Sequence, residues 1–255
     1  MPASYAHYRF GKLLIPKLPT DVRQCIQRFR RMYDTGLQGP DLFFYHNPLA
    51  KTAVGDLGNV FHSQSGQEFF TRACAQADSE AARAYLYGLL GHYCLDSRCH
   101  PFVNQMVNIG EAPHVALESE FDRVLMAGDG ISQPHHHDRS KYIRLTRGEC
   151  MTAAAFFPGA TGGSINQCVR VMGLCLRFLG NANRERTEKL IRRFKPNYLE
   201  QLIPTEEVED YAYMIGELRE LYGQALEQYP VLLEQILQHM KTGEPLPETF
   251  APDFG

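Results

Sequence analysis

The 255-residue chain is 44% hydrophobic, 22% charged and 11% aromatic without a single tryptophan, which suffices for a full core and excludes global disorder. Its net charge of −3 argues against non-specific coating of nucleic acid, so no stable nucleic-acid partner is expected, although a local basic patch is compatible with it. The uncharged stretch 151–168 is interrupted by Pro158 and by glycines, so it is not the run of about 20 mostly apolar residues that a transmembrane segment needs.

The N-terminus, Met-Pro-Ala-Ser-Tyr-Ala-His-Tyr-Arg, lacks the basic and apolar regions of a signal peptide, and a cytoplasmic location is expected. Thr20-Asp21 can cap an arginine-rich helix to about Tyr33, stopped by Asp34-Thr35-Gly36. Gly39-Pro40-Asp41 opens a short aromatic segment, 42–45, closed by Asn47-Pro48. A helix over 66–76 follows. Asp78-Ser79 then caps a long alanine- and leucine-rich helix, 80–99, which Pro101 is expected to end. Pro113 starts a helix over 114–126 with apolar Val115, Leu117, Phe121, Val124 and Leu125. Residues 129–138 read as a polar loop. Helices recur near 140–155, 164–179 and 184–194, and a last one spans 206–240 with Pro230 as a kink or break. There Tyr211, Met214, Leu218, Leu221 and Ala225 form the stripe of a helix laid on a core. No run alternates with period two long enough for a sheet, and no repeat or linker divides the chain. The expectation is one all-α domain over residues 1–255.

Seven cysteines are scattered, odd in number and without a C-x-x-C pair, so neither a disulfide framework nor a zinc ribbon is indicated. The strongest motif is H-Y-C-L-D-S-R-C-H, residues 92–100. His92, Asp96 and His100 stand at i, i+4 and i+8, and each step turns a helix by only about 40°, so all three project from one face. Imidazole and carboxylate at this spacing reach a common zinc centre. His114 and Glu118 repeat the i, i+4 arrangement on the next helix; alone they read as a solvated ion pair, but together the two helices offer ligands as a helical multi-metal site does. His7, Asp41 and His62 are three further candidates upstream. Each has an ordinary reading: a surface histidine, an N-cap in Gly-Pro-Asp, and a turn residue before Ser63.

In this order of ligands the sequence resembles the zinc-dependent phospholipase C family and the related fungal zinc-dependent single-strand nucleases. The match covers a histidine near the N-terminus (His7), Asp41, His62, H-x3-D with a following histidine (His92, Asp96, His100), and H-x3-[DE] (His114, Glu118). All lie within the first 118 residues; the remainder matches no motif. The resemblance implies an all-α fold of that type and two to three Zn2+ ions. His62, His92 and Asp96, with Asp41 close by, would hold the first zinc, and His100, His114 and Glu118 the second. His7, a bridging Asp96 and the chain's first residue would hold the third. It also implies a zinc-dependent phosphodiester hydrolase whose metal-bound hydroxide attacks phosphorus in line, with Asp41 as ligand or general base. The implied substrate is a small phosphodiester or a phospholipid headgroup. A nuclease or nucleotide phosphoesterase is the alternative within enzymes, and a non-catalytic zinc-binding helical protein the alternative outside them.

Two positions depart from the family pattern. Three residues separate Asp96 from His100, where the secreted relatives have five. The relatives' N-terminal tryptophan is also missing, and Pro2, five residues before His7, would supply the amine once Met1 is removed. Several features compete for attention. His135-His136-His137-Asp138 reads as a surface loop, His46 and His239 lack partners at useful spacing, and Cys94 and Cys99 lie off the ligand face of their helix. Residues 184–195, six basic and two acidic, read as a solvated helix face that could also steer an anion or a headgroup. Phe43, Phe44 and Tyr45 read as core packing or a headgroup-contacting wall.

Overall fold

The structure, a computed structural model, describes residues 4–180 and 183–255. Among them lie eleven α-helices joined by loops and short 3-10 turns, and no strand, as an all-α chain requires. In chain order they are α1 (Ser4–Leu14), α2 (Thr20–Arg28), α3 (Arg30–Gly36), α4 (Ala53–His62), α5 (Gly66–Cys74), α6 (Glu80–Asn108), α7 (His114–Gly128), α8 (Arg147–Ala154), α9 (Gly162–Leu179), α10 (Arg184–Phe194) and α11 (Ala212–Thr242). No helix among the described residues is long and apolar enough to cross a membrane.

The spine is α6, capped by the Ser79 hydroxyl, which accepts from the Ala82 amide. Its residues from Ala84 to Asp96 are buried without a break, as expected of a helix enclosed on all sides. Two glycines make that enclosure possible. A Cβ on Gly88 would stand 2.3 Å from the Tyr33 carbonyl oxygen, and one on Gly36 would stand 2.5 Å from the Tyr85 carbonyl oxygen. The backbones of α3 and α6 therefore touch where both helices have no side chain. On its other side α6 packs against α11 through Met214, Leu218, Tyr222 and Ala225.

Pro101 does not end α6, contrary to the sequence expectation; the helix continues to Asn108. An internal proline costs about 3 kcal/mol, but Val103 and Met106 beyond it lie on the buried face and hold the extra turns in place. Pro230 is likewise accommodated inside α11, between buried Tyr229 and Leu232. The helix expected over 20–33 is instead two, broken where Phe29 leaves helical geometry at φ −117°, ψ 44°. The helix expected near 140–155 reduces to a turn at Arg139–Tyr142 followed by α8.

One contiguous apolar core joins α1 to α9 and α11. A small separate cluster of Leu179, Ile191 and Leu202 carries α10.

Candidate metal centre

Four other elements converge on the middle turns of α6. That helix supplies His92, Asp96 and His100, all buried on one face as the i, i+4, i+8 spacing dictates. Helix α7 crosses nearby and presents His114 and Glu118. His7 comes from the first turns of α1, Asp41 from a 3-10 turn at Gly39–Tyr45, and His62 is the last residue of α4. The turn holding Asp41 approaches α6 through Gly39, whose φ of +49° and absent side chain let it lie against His92: a Cβ there would be 2.2 Å from the imidazole.

The eight residues form three groups whose ligand atoms lie within 4.8 Å of one another: His7, Asp41 and His92; His62, His92 and Asp96; His100, His114 and Glu118. His92 belongs to the first two groups, and their histidines surround Asp96. Its carboxylate oxygens lie 2.9 Å from His92 Nε2, 3.2 Å from His7 Nε2 and 3.9 Å from His62 Nε2. Asp41 stands 3.2 Å from His62 Nε2. Glu118 stands 3.2 Å from His100 Nε2 and 3.3 Å from His114 Nε2. The three-residue gap between Asp96 and His100 keeps His100 on the α6 face and brings it to Glu118.

The imidazoles are aimed from behind. His62 Nδ1 lies 2.7 Å from the Gly58 carbonyl oxygen, His92 Nδ1 3.2 Å from that of Leu37, and His100 Nδ1 3.1 Å from that of Phe254. A carbonyl only accepts, so each Nδ1 carries the proton and each Nε2 is the atom turned inward. Metal-binding histidines are oriented in this way. The chemistry of the donors fits a cation directly. His92 Nε2 and an Asp96 oxygen face each other 2.9 Å apart and buried, and with the His92 proton on Nδ1 neither has a hydrogen-bond donor among the described residues. Two lone pairs aimed at one buried point suit a cation between them.

Electrostatics agree. Burial alone would raise the carboxyl of Asp96, yet the imidazoles of His100, His92 and His7 hold it well below the ordinary range. Asp41 and Glu118 are also held low against burial, His62 and His92 contributing at the first and His100 and His114 at the second. His92 moves down, chiefly through burial, and stays neutral near pH 7. His100 is driven the other way: burial opposes its charge, but Asp96 and Glu118 raise it to about 9. Three ionised carboxylates in one buried cluster need compensating positive charge.

Several contributors were not legible in the sequence reading. Asp122 accepts the backbone amides of Tyr5 and Ala6 at 3.1 and 2.8 Å, pinning the start of α1 and so His7; Arg139 lies 3.2 Å from the same carboxylate. Burial pushes Asp122 up to about 6 despite Arg139. Its signal was present, since His114, Glu118 and Asp122 repeat the four-residue step of α6. The segment around Phe254 returns from the far end of the chain, donating its amide to the His62 carbonyl oxygen as well as accepting from His100. No sequence motif marks it.

The competing features lie elsewhere. His137 bonds the Tyr142 hydroxyl, His46 the Thr52 hydroxyl and His239 the Glu244 carbonyl oxygen. Cys94 donates to the Ala225 carbonyl oxygen, and burial pushes its thiol up to about 12, consistent with packing. Phe43 and Tyr45 are core residues, while half-buried Phe44 sets its ring 5.7 Å from that of His62. Met1 and Pro2, the expected source of an amine ligand, lie outside the described residues. No protein-family model matches the chain, and neither a curated protein nor a solved structure matches it.

Proposed function

We propose that this chain is a zinc-dependent phosphodiester hydrolase of the phospholipase C type, holding two to three zinc ions. The observation that carries the reading is the facing pair of His92 Nε2 and Asp96, 2.9 Å apart and buried, where two of the three ligand groups meet. His62, His92 and Asp96 would hold one ion; His100, His114 and Glu118 a second; His7 with Asp41, His92 or Asp96 a third. When bound, zinc neutralises charge growing on phosphoryl oxygens and lowers the pKa of water towards neutrality. Asp41 is ionised and accepts a proton weakly because its neighbours favour its charge, which suits a ligand better than a general base. His114 is the most exposed member, with about a third of its side chain accessible, and marks the side from which a small phosphodiester enters. The ordered match of eight positions to the phospholipase C and nuclease pattern supports the same chemistry.

The test is turnover. Zinc-loaded protein is assayed on a chromogenic phosphodiester, on choline-phosphate esters, and on nucleotide and single-stranded DNA substrates. Cleavage that falls at least a hundredfold in His92→Ala and Asp96→Ala supports the hydrolase. Stoichiometric zinc without turnover on any of these would leave a structural zinc protein instead. Preference for single-stranded DNA would favour the nuclease alternative.

A further inference from the structure

We propose that the groove between α9 and α10 is a docking surface for an anionic lipid bilayer. The proposal is independent of the hydrolase reading.

The groove has a volume of about 340 Å3 and is walled by Pro48 and Leu49, by Phe178 of α9, and by Leu190 and Phe194 of α10. Leu49 and Phe194 are 69% and 68% exposed, an unusual display for large apolar side chains that also adjoin one another. Leu174, one helical turn before Phe178, extends the same exposed stripe. No carboxylate lines the groove among the described residues. Its polar ends are turned into the protein: the Tyr198 hydroxyl donates to the Pro48 carbonyl oxygen and the Lys195 ammonium to that of Leu49.

Charge identifies the occupant. Residues 184–195 carry six basic and two acidic side chains in a chain whose net charge is −3. Arg184 is occupied by Glu188 at 2.6 Å, but Arg186, Lys189, Arg192, Arg193 and Lys195 are exposed. Buried Thr187 and Ile191 fix α10 to its own small cluster, so Leu190 and Phe194 point outward among these cations. Arg186 and Arg193, four residues before and three after Leu190, share its side of α10. Exposed apolar side chains flanked by long basic ones are the chemistry of a helix lying in a membrane interface, the cations reaching headgroup phosphates while the apolar tips enter the acyl boundary. Bare nucleic acid would satisfy the charges but leave the aliphatic groove empty.

The position of the groove also suits a headgroup substrate. Pro48, Leu49, Lys195 and Tyr198 border a second cleft that reaches Phe44, the residue packed beside His62. Docking through the groove would set the mouth of that cleft at the bilayer surface.

The experiment is sedimentation of the full chain with vesicles of phosphatidylcholine alone or with one-third phosphatidylglycerol. It is repeated at about 0.1 M and about 1 M salt, between which the screening length falls from ~10 to ~3 Å. Binding is expected on the anionic vesicles, at least tenfold weaker on neutral ones and weaker at high salt. Arg186→Glu with Arg193→Glu should lower it by roughly thirtyfold or more, at about fivefold per lost cation. Leu190→Ser with Phe194→Ser should lower it by at least tenfold, and because these residues are exposed both variants should melt as the parent does. No binding to anionic vesicles, equal binding to neutral ones, or binding that survives either variant overturns the proposal. So does retention of a single-stranded oligonucleotide with no retention of vesicles.

Discussion

Replacing Gly88 by alanine tests the link between the helix crossing and the metal centre. In an exposed helix the change would stabilise by up to about 1 kcal/mol, because alanine is the better helix former. Here the new Cβ would sit 2.3 Å from the Tyr33 carbonyl oxygen and 2.9 Å from both Gly36 Cα and Leu37 N. These are backbone atoms, so no side chain can swing aside, and α3 must retreat from α6. Overpacking of this kind costs about 1–3 kcal/mol, and the backbone collision puts the net loss at about 1–2 kcal/mol or more after the propensity gain. The same retreat moves the Leu37 carbonyl oxygen away from His92 Nδ1, now 3.2 Å distant, and loosens the aim of Nε2. Loss of such an orienting partner typically weakens metal binding by about tenfold to a hundredfold. Urea unfolding of metal-free protein reads the first effect and zinc titration against a chelating indicator the second. Gly216→Ala is the control: it lies in α11 with nothing within 4 Å of its Cβ position, so it should stabilise and leave zinc affinity unchanged. A Gly88→Ala protein as stable as the parent, with parental zinc affinity, would refute the reasoning.

Asp122→Ala removes the acceptor for the Tyr5 and Ala6 amides and the carboxylate beside Arg139. It should cost about 3–5 kcal/mol in chemical unfolding, and bound zinc should fall by the ion that His7 helps to hold. In metal-free protein the His100 pKa of about 9, raised above its unfolded value of 6.5, contributes stability in full below pH 6.5 and loses it as pH rises to 9. Melting temperatures across that window should therefore fall, and saturating zinc should flatten the decline; a metal-free melting temperature that rises would contradict the electrostatics. Cys94, Cys99 and Cys168 are buried with thiols pushed upward, so native protein should leave them unlabelled by a disulfide reagent at pH 8 over a time in which unfolded protein reacts completely.

The clustering of the candidate ligands was legible where helical spacing is itself geometry. His92, Asp96 and His100 are four apart, and that alone fixes one shared face; the same holds for His114 and Glu118. Helix 184–194 and the Ser79 cap were legible for the same local reason. What escaped was decided by contacts distant in sequence. Pro101 reads as a stop, and only the burial of Val103 and Met106 carries α6 past it. His62 reads as a turn residue, whereas α4 forms with it as the final residue and the Gly58 carbonyl oxygen fixes its ring. The hold of Asp122 on α1 spans more than a hundred residues, and that of Phe254 on His100 spans 154. The four-residue step from His114 to Asp122 does not reveal that Asp122 caps α1, and the Phe254 contact leaves no local pattern at all.

The central claim is that this cluster is a zinc centre, and metal content tests it most directly. Purified protein, reconstituted with zinc and dialysed, is analysed by elemental mass spectrometry, with X-ray absorption reading the ligands. Two to three zinc ions per chain, bound by nitrogen and oxygen at about 2.0–2.2 Å and reduced in His92→Ala, are expected. A folded chain that retains no transition metal, or one whose zinc is unaffected by His92→Ala, would contradict the account.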